Sequence, residues 1–168
     1  MNQADPGGPA LEEVVVREAT WRDLFPLLRL ERRCFGRDAW PWTDMLAALI
    51  LPETVRLLAL VGNEVAGFVI GDRRRRQGVG WIASLGVHPV YRRRGIATRL
   101  LRMCEERLAM PRLRLSLRVS NQAAHALYSR EGYRPVGRWS RYYRDGEDAI
   151  VMEKSRPASE AAGRSGPA

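Results

Sequence analysis

Lysine is almost missing from this chain. Of 28 basic residues only Lys154 is a lysine, and 19 acidic residues leave a net charge of +9. The arginine excess fits a coding bias. Whatever its origin, such a surface attracts polyanions: a nucleotide-bearing cofactor, RNA or a ribosome surface. Charge alone does not choose among them. Cysteine is scarce too. Cys34 and Cys104 sit in apolar surroundings without metal-like spacing, which excludes a disulfide framework or a cysteine-rich metal site and reads as buried thiols in a reducing compartment. Long apolar runs are absent. The longest, Met45–Leu51, is far too short to span a bilayer, so no membrane partner is expected. The start, "MNQADPGGPALEE", lacks the basic end and apolar core of a secretory signal, and the expected location is cytoplasmic.

With 168 residues and no internal repeat, one domain with a substantial core is expected. Residues 1–12 and 155–168 are rich in Gly, Pro, Ala and Ser and read as disordered tails around a domain at 13–154.

Between them, "VVVREA" (Val14–Ala19) fits a strand. Asp23 caps a helix carrying Leu27, Leu28, Leu30, Glu31 and Cys34, with Pro26 tolerated in its first turn. "GRDAWPW" (Gly36–Trp42) reads as an irregular aromatic loop, and Thr43 opens a short helix that stops before Pro52. Two strands flank Gly62-Asn63, a hairpin signal, and "VGWIASLGV" is a further strand, apolar enough for the middle of a sheet. Ile96, Leu100, Leu101, Cys104 and Leu108 recur at helical spacing over Gly95–Ala109. "LRLSLRV" alternates as a strand, Asn121 caps a helix ending at Gly132, and strands at about Tyr133–Tyr143 and Asp148–Lys154 flank Asp145-Gly146. The order β-α-α-β-β-β-α-β-α-β-β predicts an α/β (α+β) domain, a mixed sheet of about seven strands with about four helices on both faces. A ligand belongs where strands splay at their C-terminal ends, here between the fourth and fifth.

One stretch points to the ligand. In "LGVHPVYRRRGIATRLL" (Leu85–Leu101) an apolar strand runs into three arginines, a glycine and then a helix. That order gathers backbone N–H groups and the positive end of a helix dipole in one small volume, a receptor for pyrophosphate. Arg92-x-x-Gly95-x-Ala97, followed at a distance by "LRVSNQAAHALYSREGY" (Leu117–Tyr133), resembles the GNAT N-acetyltransferase superfamily over about Val14–Lys154. The resemblance implies acetyl-CoA as the acyl donor, used without a metal. Leu85 and Val87 would offer backbone groups to the pantetheine. Arg92, Arg93, Arg94, Gly95, Ile96, Ala97 and Thr98 would offer N–H groups to the pyrophosphate, with Gly95 sparing the phosphate a Cβ. Ala97 stands where many members have glycine. Asn121 would touch the pantetheine or act as a helix cap, roles that are compatible. Tyr128 would protonate the leaving thiolate; by spacing alone it is a core tyrosine beside Ala124 and Leu127.

"RWSRYYRDGEDAIVMEK" (Arg138–Lys154) further resembles the end of protein N-terminal acetyltransferases, including those acting on ribosomal-protein alanine. A protein or peptide N-terminus is then the expected partner, with ribosome association and without specific DNA binding. Tyr142 and Tyr143 would wall the acceptor site, faced by Trp40 and Trp42 unless those tryptophans simply pack under their loop. One departure concerns the base. Where relatives carry glutamate or histidine this chain has Ser116, and where some have a tyrosine on the neighbouring strand it has Trp81. An α-amine of pKa near 8 is already neutral in roughly a tenth of molecules at pH 7. Water leading to Glu31 or Asp38 would serve the rest, unless these are exposed or ion-paired carboxylates. His88 reads as a loop residue. Two alternatives stay open: transfer to a small amine or a lysine side chain, and a basic RNA- or ribosome-binding protein without turnover, for which Arg73–Arg76 would count unless it is a solvated hairpin tip.

Overall fold

The computed structural model describes residues 13–156. The expected tails lie outside them, except that the last strand runs to Ser155. The elements are β1 (Val14–Glu18), α1 (Leu24–Phe35), α2 (Trp42–Ile50), β2 (Thr54–Val61), β3 (Glu64–Arg74), β4 (Val79–Val87), α3 (Ile96–Leu108), β5 (Arg112–Arg118), α4 (Gln122–Arg130), β6 (Arg134–Trp139) and β7 (Ala149–Ser155). The sheet order is β1-β2-β3-β4-β5-β7-β6, and every pairing is antiparallel except β4 with β5. This is the expected mixed sheet.

Both faces are covered where the apolar residues call for it. Ile96, Leu100, Leu101, Cys104 and Leu108 form the buried side of α3, which lies on β2, β3 and β4. Each such side chain contributes about 1.5–3 kcal/mol of burial. Gly71 lets α3 sink close, since a Cβ there would stand 2.7 Å from Cys104 Sγ. On the opposite face, Leu27, Leu28 and Leu30 of α1 and Met45, Ala48 and Leu49 of α2 pack on Leu58, Phe68 and Ile70. The lone lysine is structural: Lys154 Nζ donates to Glu105 at 2.7 Å, and the buried Tyr133 hydroxyl donates to the same carboxylate. Both cysteines are free; Cys104 is buried and Cys34 half-buried.

Three local expectations differ. Asp23 precedes α1, but its carboxylate turns back to Arg17 (2.7 Å) and the Thr20 N–H (2.8 Å) instead of capping the helix. The Gly36–Trp42 loop contains a 3-10 turn at Gly36–Asp38, and α2 begins at Trp42, one residue early. The strand expected to Tyr143 stops at Trp139, because Arg141 adopts a left-handed φ of 50° that an extended chain cannot continue through.

The splay is explicit. Parallel pairing of β4 with β5 stops at Ile82–Leu115, although β4 continues to Val87 and β5 to Arg118. At the same point β4 carries a bulge: Ile70 and Gly71 of β3 oppose Ser84 and Ile82, leaving Ala83 as an extra residue. A bulge bends its strand and increases local twist, which carries β4 away from β5.

Candidate active site

A cavity of about 320 Å³ opens at that splay. Ile82, Ala83, Ser84 and Leu85 of β4 and Ser116, Leu117 and Arg118 of β5 form its floor, with Asn121, Ala124 and Tyr128 behind. Glu31, Asp38 and Trp40 close one side, and Tyr142 and Tyr143 close the other. Trp42 is not part of it; in the first turn of α2 it is 58 % exposed.

Val87 and the Arg92–Thr98 loop lie past the end of the cavity, outside its lining. The Val87 carbonyl accepts from Arg92 Nε at 3.1 Å and from Cys34 Sγ at 3.5 Å, so the Arg92 side chain orders the strand end. Arg94 lies over the Tyr91 ring, while Arg93 has no hydrogen bond or ion pair among the described residues. Arg93 (φ 65°) and Gly95 (φ 76°) are both left-handed, the kind of alternation in which successive N–H groups form an anion cradle. The first bond of α3 runs from Arg99 N to the Gly95 carbonyl, so the N–H groups of Ile96, Ala97 and Thr98 have no partner within the helix. A Cβ on Gly95 would meet no protein atom within 4 Å, and its positive φ by itself favours glycine. His88 is a loop residue: its Nδ1 accepts from Val90 N, and Nε2 faces Arg33.

Asn121 caps α4, its Oδ1 accepting from Ala124 N at 3.1 Å, which leaves the amide N–H groups for the cavity. Tyr128 packs edge-on against Tyr133 in the core and also lines the cavity. Burial pushes its phenol well above the ordinary value of 10, so it stays protonated at neutral pH.

The carboxylates separate sharply. Glu31, on the apolar side of α1, is 1 % exposed. It accepts from Ser84 Oγ (3.2 Å) and Trp40 N (3.4 Å), and burial pushes it up to about 7. Asp38 is held by Arg118 Nε at 2.7 Å. That arginine also donates to Asp145 and Glu147 and lies 4.0 Å from the Tyr143 ring centre, joining the Asp38 turn to the 140–148 loop. Tyr143, half-buried there, is pushed up to about 12 by burial. Ser116 lines the cavity, but a serine takes no proton at neutral pH. Among the described residues no group of three His, Cys, Asp or Glu side chains could hold a metal ion, and no helix is long and apolar enough to cross a membrane.

Ser84 and Arg118 were not foreseen. For Arg118 the signal was present: in a strand it shares a face with Ser116, two residues away. Ser84 gave none, because the bulge that turns it toward Glu31 has no sequence mark.

Residues 17–133 match the Acetyltransferase (GNAT) family. The chain is 33% identical over 147 residues to the N-alpha-acetyltransferase RimI of Mycobacterium tuberculosis, covering 85% of this chain and 93% of that protein. Its fold is that of the ribosomal-protein-S18-alanine N-acetyltransferase from Escherichia coli, with a TM-score of 0.77 at 24% identity over 85% of this chain and 94% of that one. Arabidopsis thaliana NAA60, solved with acetyl-CoA, gives a TM-score of 0.75 at 20% identity over 85% and 98%.

Proposed function

The chain belongs to the acetyltransferase (GNAT) family, and from that membership we propose that it moves the acetyl group of acetyl-CoA to the α-amine of a polypeptide N-terminus. The observation that carries this reading is the convergence, in one cavity, of Tyr128, the buried Glu31 carboxylate and two aromatic-lined walls with room between them for a chain end. Acetyl-CoA supplies a thioester. Its pyrophosphate suits the Arg92–Thr98 cradle, and its pantetheine suits the edge of β4 that the splay leaves unpaired.

The amine nitrogen attacks the thioester carbonyl carbon. A C–N bond forms, the C–S bond breaks, and the sulfur leaves with a proton from the Tyr128 hydroxyl. The surplus proton on nitrogen passes to Glu31, directly or through water. Solvent then restores both groups. A carboxylate near 7 is about half ionised at neutral pH and matched to an α-amine near 8. Asp38 is less suited to the task because it is committed to Arg118, and we assign it to positioning. No cysteine lines the cavity, so transfer is direct.

A nascent chain or ribosomal protein in the cytoplasm is the acceptor this reading favours. Arg29 and Arg32 on the outer face of α1, and Arg22 in the turn before it, make no ion pair among the described residues, which suits an RNA-rich particle. The test is incubation with acetyl-CoA and a peptide library varied at its first two residues, read by mass spectrometry. Acetylation at the α-amine, absent from N-formylated peptides, is expected. Modification confined to lysine side chains or small amines would overturn the reading.

A further inference from the structure

An unbroken row of aromatic rings leads away from the cavity. Tyr143 and Tyr142 stand in its wall and meet edge-on at 5.1 Å. Tyr142 leans on Trp139 at 5.1 Å, and Trp139 stacks on Trp81 at 5.8 Å with planes 7° apart. Trp139 belongs to β6 and Trp81 to β4, with β7 and β5 between them. The indoles therefore bridge two strands. Short side chains beneath make this feasible: Ala149 opposes Trp139, and Ser116 opposes Val151. The helices on this face, α1 and α2, pack on β2, β3 and β4, and the row stays open, Trp139 being 39 % and Tyr142 55 % exposed.

Four arginines beside the row are paired with carboxylates, whereas Arg141 and Arg144 of the 140–148 loop make no side-chain ion pair among the described residues. Arg74, over the Trp81 ring at one end, is paired with Asp72, and Arg118 at the other end holds three carboxylates. Arg114 is paired with Glu153 and Arg138 with Asp148. A nucleic acid would want these arginines free for its phosphates. An aromatic track whose neighbouring arginines are mostly paired, continuous with an acceptor cavity, suits a polypeptide.

We propose that this row is a second acceptor subsite, seating the segment that follows the substrate's N-terminal residue and taking apolar or aromatic side chains at about its third to fifth positions. The inference rests on the N-terminal reading above. Ring spacings just over 5 Å span, from Tyr143 to Trp81, about the reach of four or five extended residues at ~3.4 Å each.

The test uses the full chain, acetyl-CoA, a dipeptide, and two pentapeptides with the same first two residues, one bearing Leu and Phe at positions three to five and one bearing Gly and Asp. The aromatic pentapeptide should show a KM about tenfold below that of the acidic one, with kcat similar. Trp139→Ala should remove that preference, raising KM for the aromatic pentapeptide about tenfold more than for the dipeptide, and Trp139→Phe should recover part of it. Tryptophan emission of the wild type should respond to the aromatic pentapeptide and not to the dipeptide. Circular dichroism of each variant shows that the fold is kept, and Trp81→Ala repeats the test if Trp139→Ala unfolds. Equal KM for all three peptides, or a preference that survives both variants, overturns the subsite while leaving N-terminal transfer standing. Absence of α-amine acetylation with every peptide fails the underlying reading instead. A single-stranded oligonucleotide that alters the emission at lower concentration than the peptide assigns the row to nucleic acid and also overturns the proposal.

Discussion

The donor side and the acceptor side of the cavity are held in place in different ways. On the donor side a single stretch, β4 through the first turn of α3, supplies the strand edge and the N–H cradle, and its geometry comes from the backbone. On the acceptor side Glu31, Asp38 and Trp40 come from one part of the chain, Ser84, Ser116 and Arg118 from two strands, and Tyr142 and Tyr143 from a third region. There side chains do the joining, chiefly Arg118 and the Glu31–Ser84 contact. A site made of backbone tolerates the loss of a side chain and fails when an opposing charge is added; a site made of long-range ion pairs fails when one partner is lost.

Substitutions sharpen this contrast, and the largest effect belongs to the donor side. Ala97→Glu puts a carboxylate at the start of α3 without the φ strain that any replacement of Gly95 brings. Acetyl-CoA affinity should fall at least about a thousandfold, and the thermal shift on adding acetyl-CoA should vanish whatever the acceptor. A surviving shift would remove the pyrophosphate assignment. Next comes Tyr128→Phe, which should reduce kcat by roughly ten- to a thousandfold while acetyl-CoA affinity stays near wild type. Unchanged turnover returns Tyr128 to a core role alone.

Glu31→Gln should lower kcat/KM at pH 7 by about ten- to a hundredfold. In the wild type the rising limb of the pH profile should bend near 7 for every acceptor amine; in the variant it should follow the pKa of the amine. A wild-type bend that already follows the amine would leave solvent as the base. Stability reports the same carboxyl independently. Its folded pKa, about 7, lies above the unfolded 4.5, so the folded state binds the proton more tightly. Stability is then full below 4.5 and falls as the pH rises through 7, by on the order of 3 kcal/mol. Glu31→Gln should flatten that slope in denaturant titrations.

Arg118→Gln, which frees the Asp38 turn and the 140–148 loop, should raise the acceptor KM about tenfold with acetyl-CoA affinity unaltered. Equal losses on both substrates would break the division between the two sides. Smallest of all is Ser116→Ala, expected to stay within about twofold, since no proton moves through that hydroxyl.

The same division explains what could be read from the sequence. The donor side is contiguous, so Arg92 to Thr98 and the apolar spacing of α3 lie in plain order, and helix and strand periods did the rest. Tyr128 came from a motif whose parts are also near neighbours. The acceptor side needs tertiary structure. Nothing in "RLERRCF" says that Glu31 meets Ser84, and nothing in "DGED" says that two of its carboxylates share one arginine with Asp38. Trp42 was misplaced for a local reason, the helix starting one residue sooner than its cap suggested.

Ala83 has no functional group, yet it decides which residues have a role. Along a regular strand, facing direction is a matter of odd and even, and an added residue reverses the count for everything downstream. Before it, Ile82 belongs to the core under α3; after it, Leu85 and Val87 pack on that same core, and Ser84 turns to the other face and donates to Glu31. Flattening the bulge, with Ala83 taking Ser84's place opposite Ile70, would exchange odd for even: Ser84 would face apolar packing, Leu85 and Val87 would face α1, and the Glu31 carboxylate would lose its hydroxyl partner. The chemistry of this site thus depends on a parity, set by one extra residue whose side chain is a methyl group.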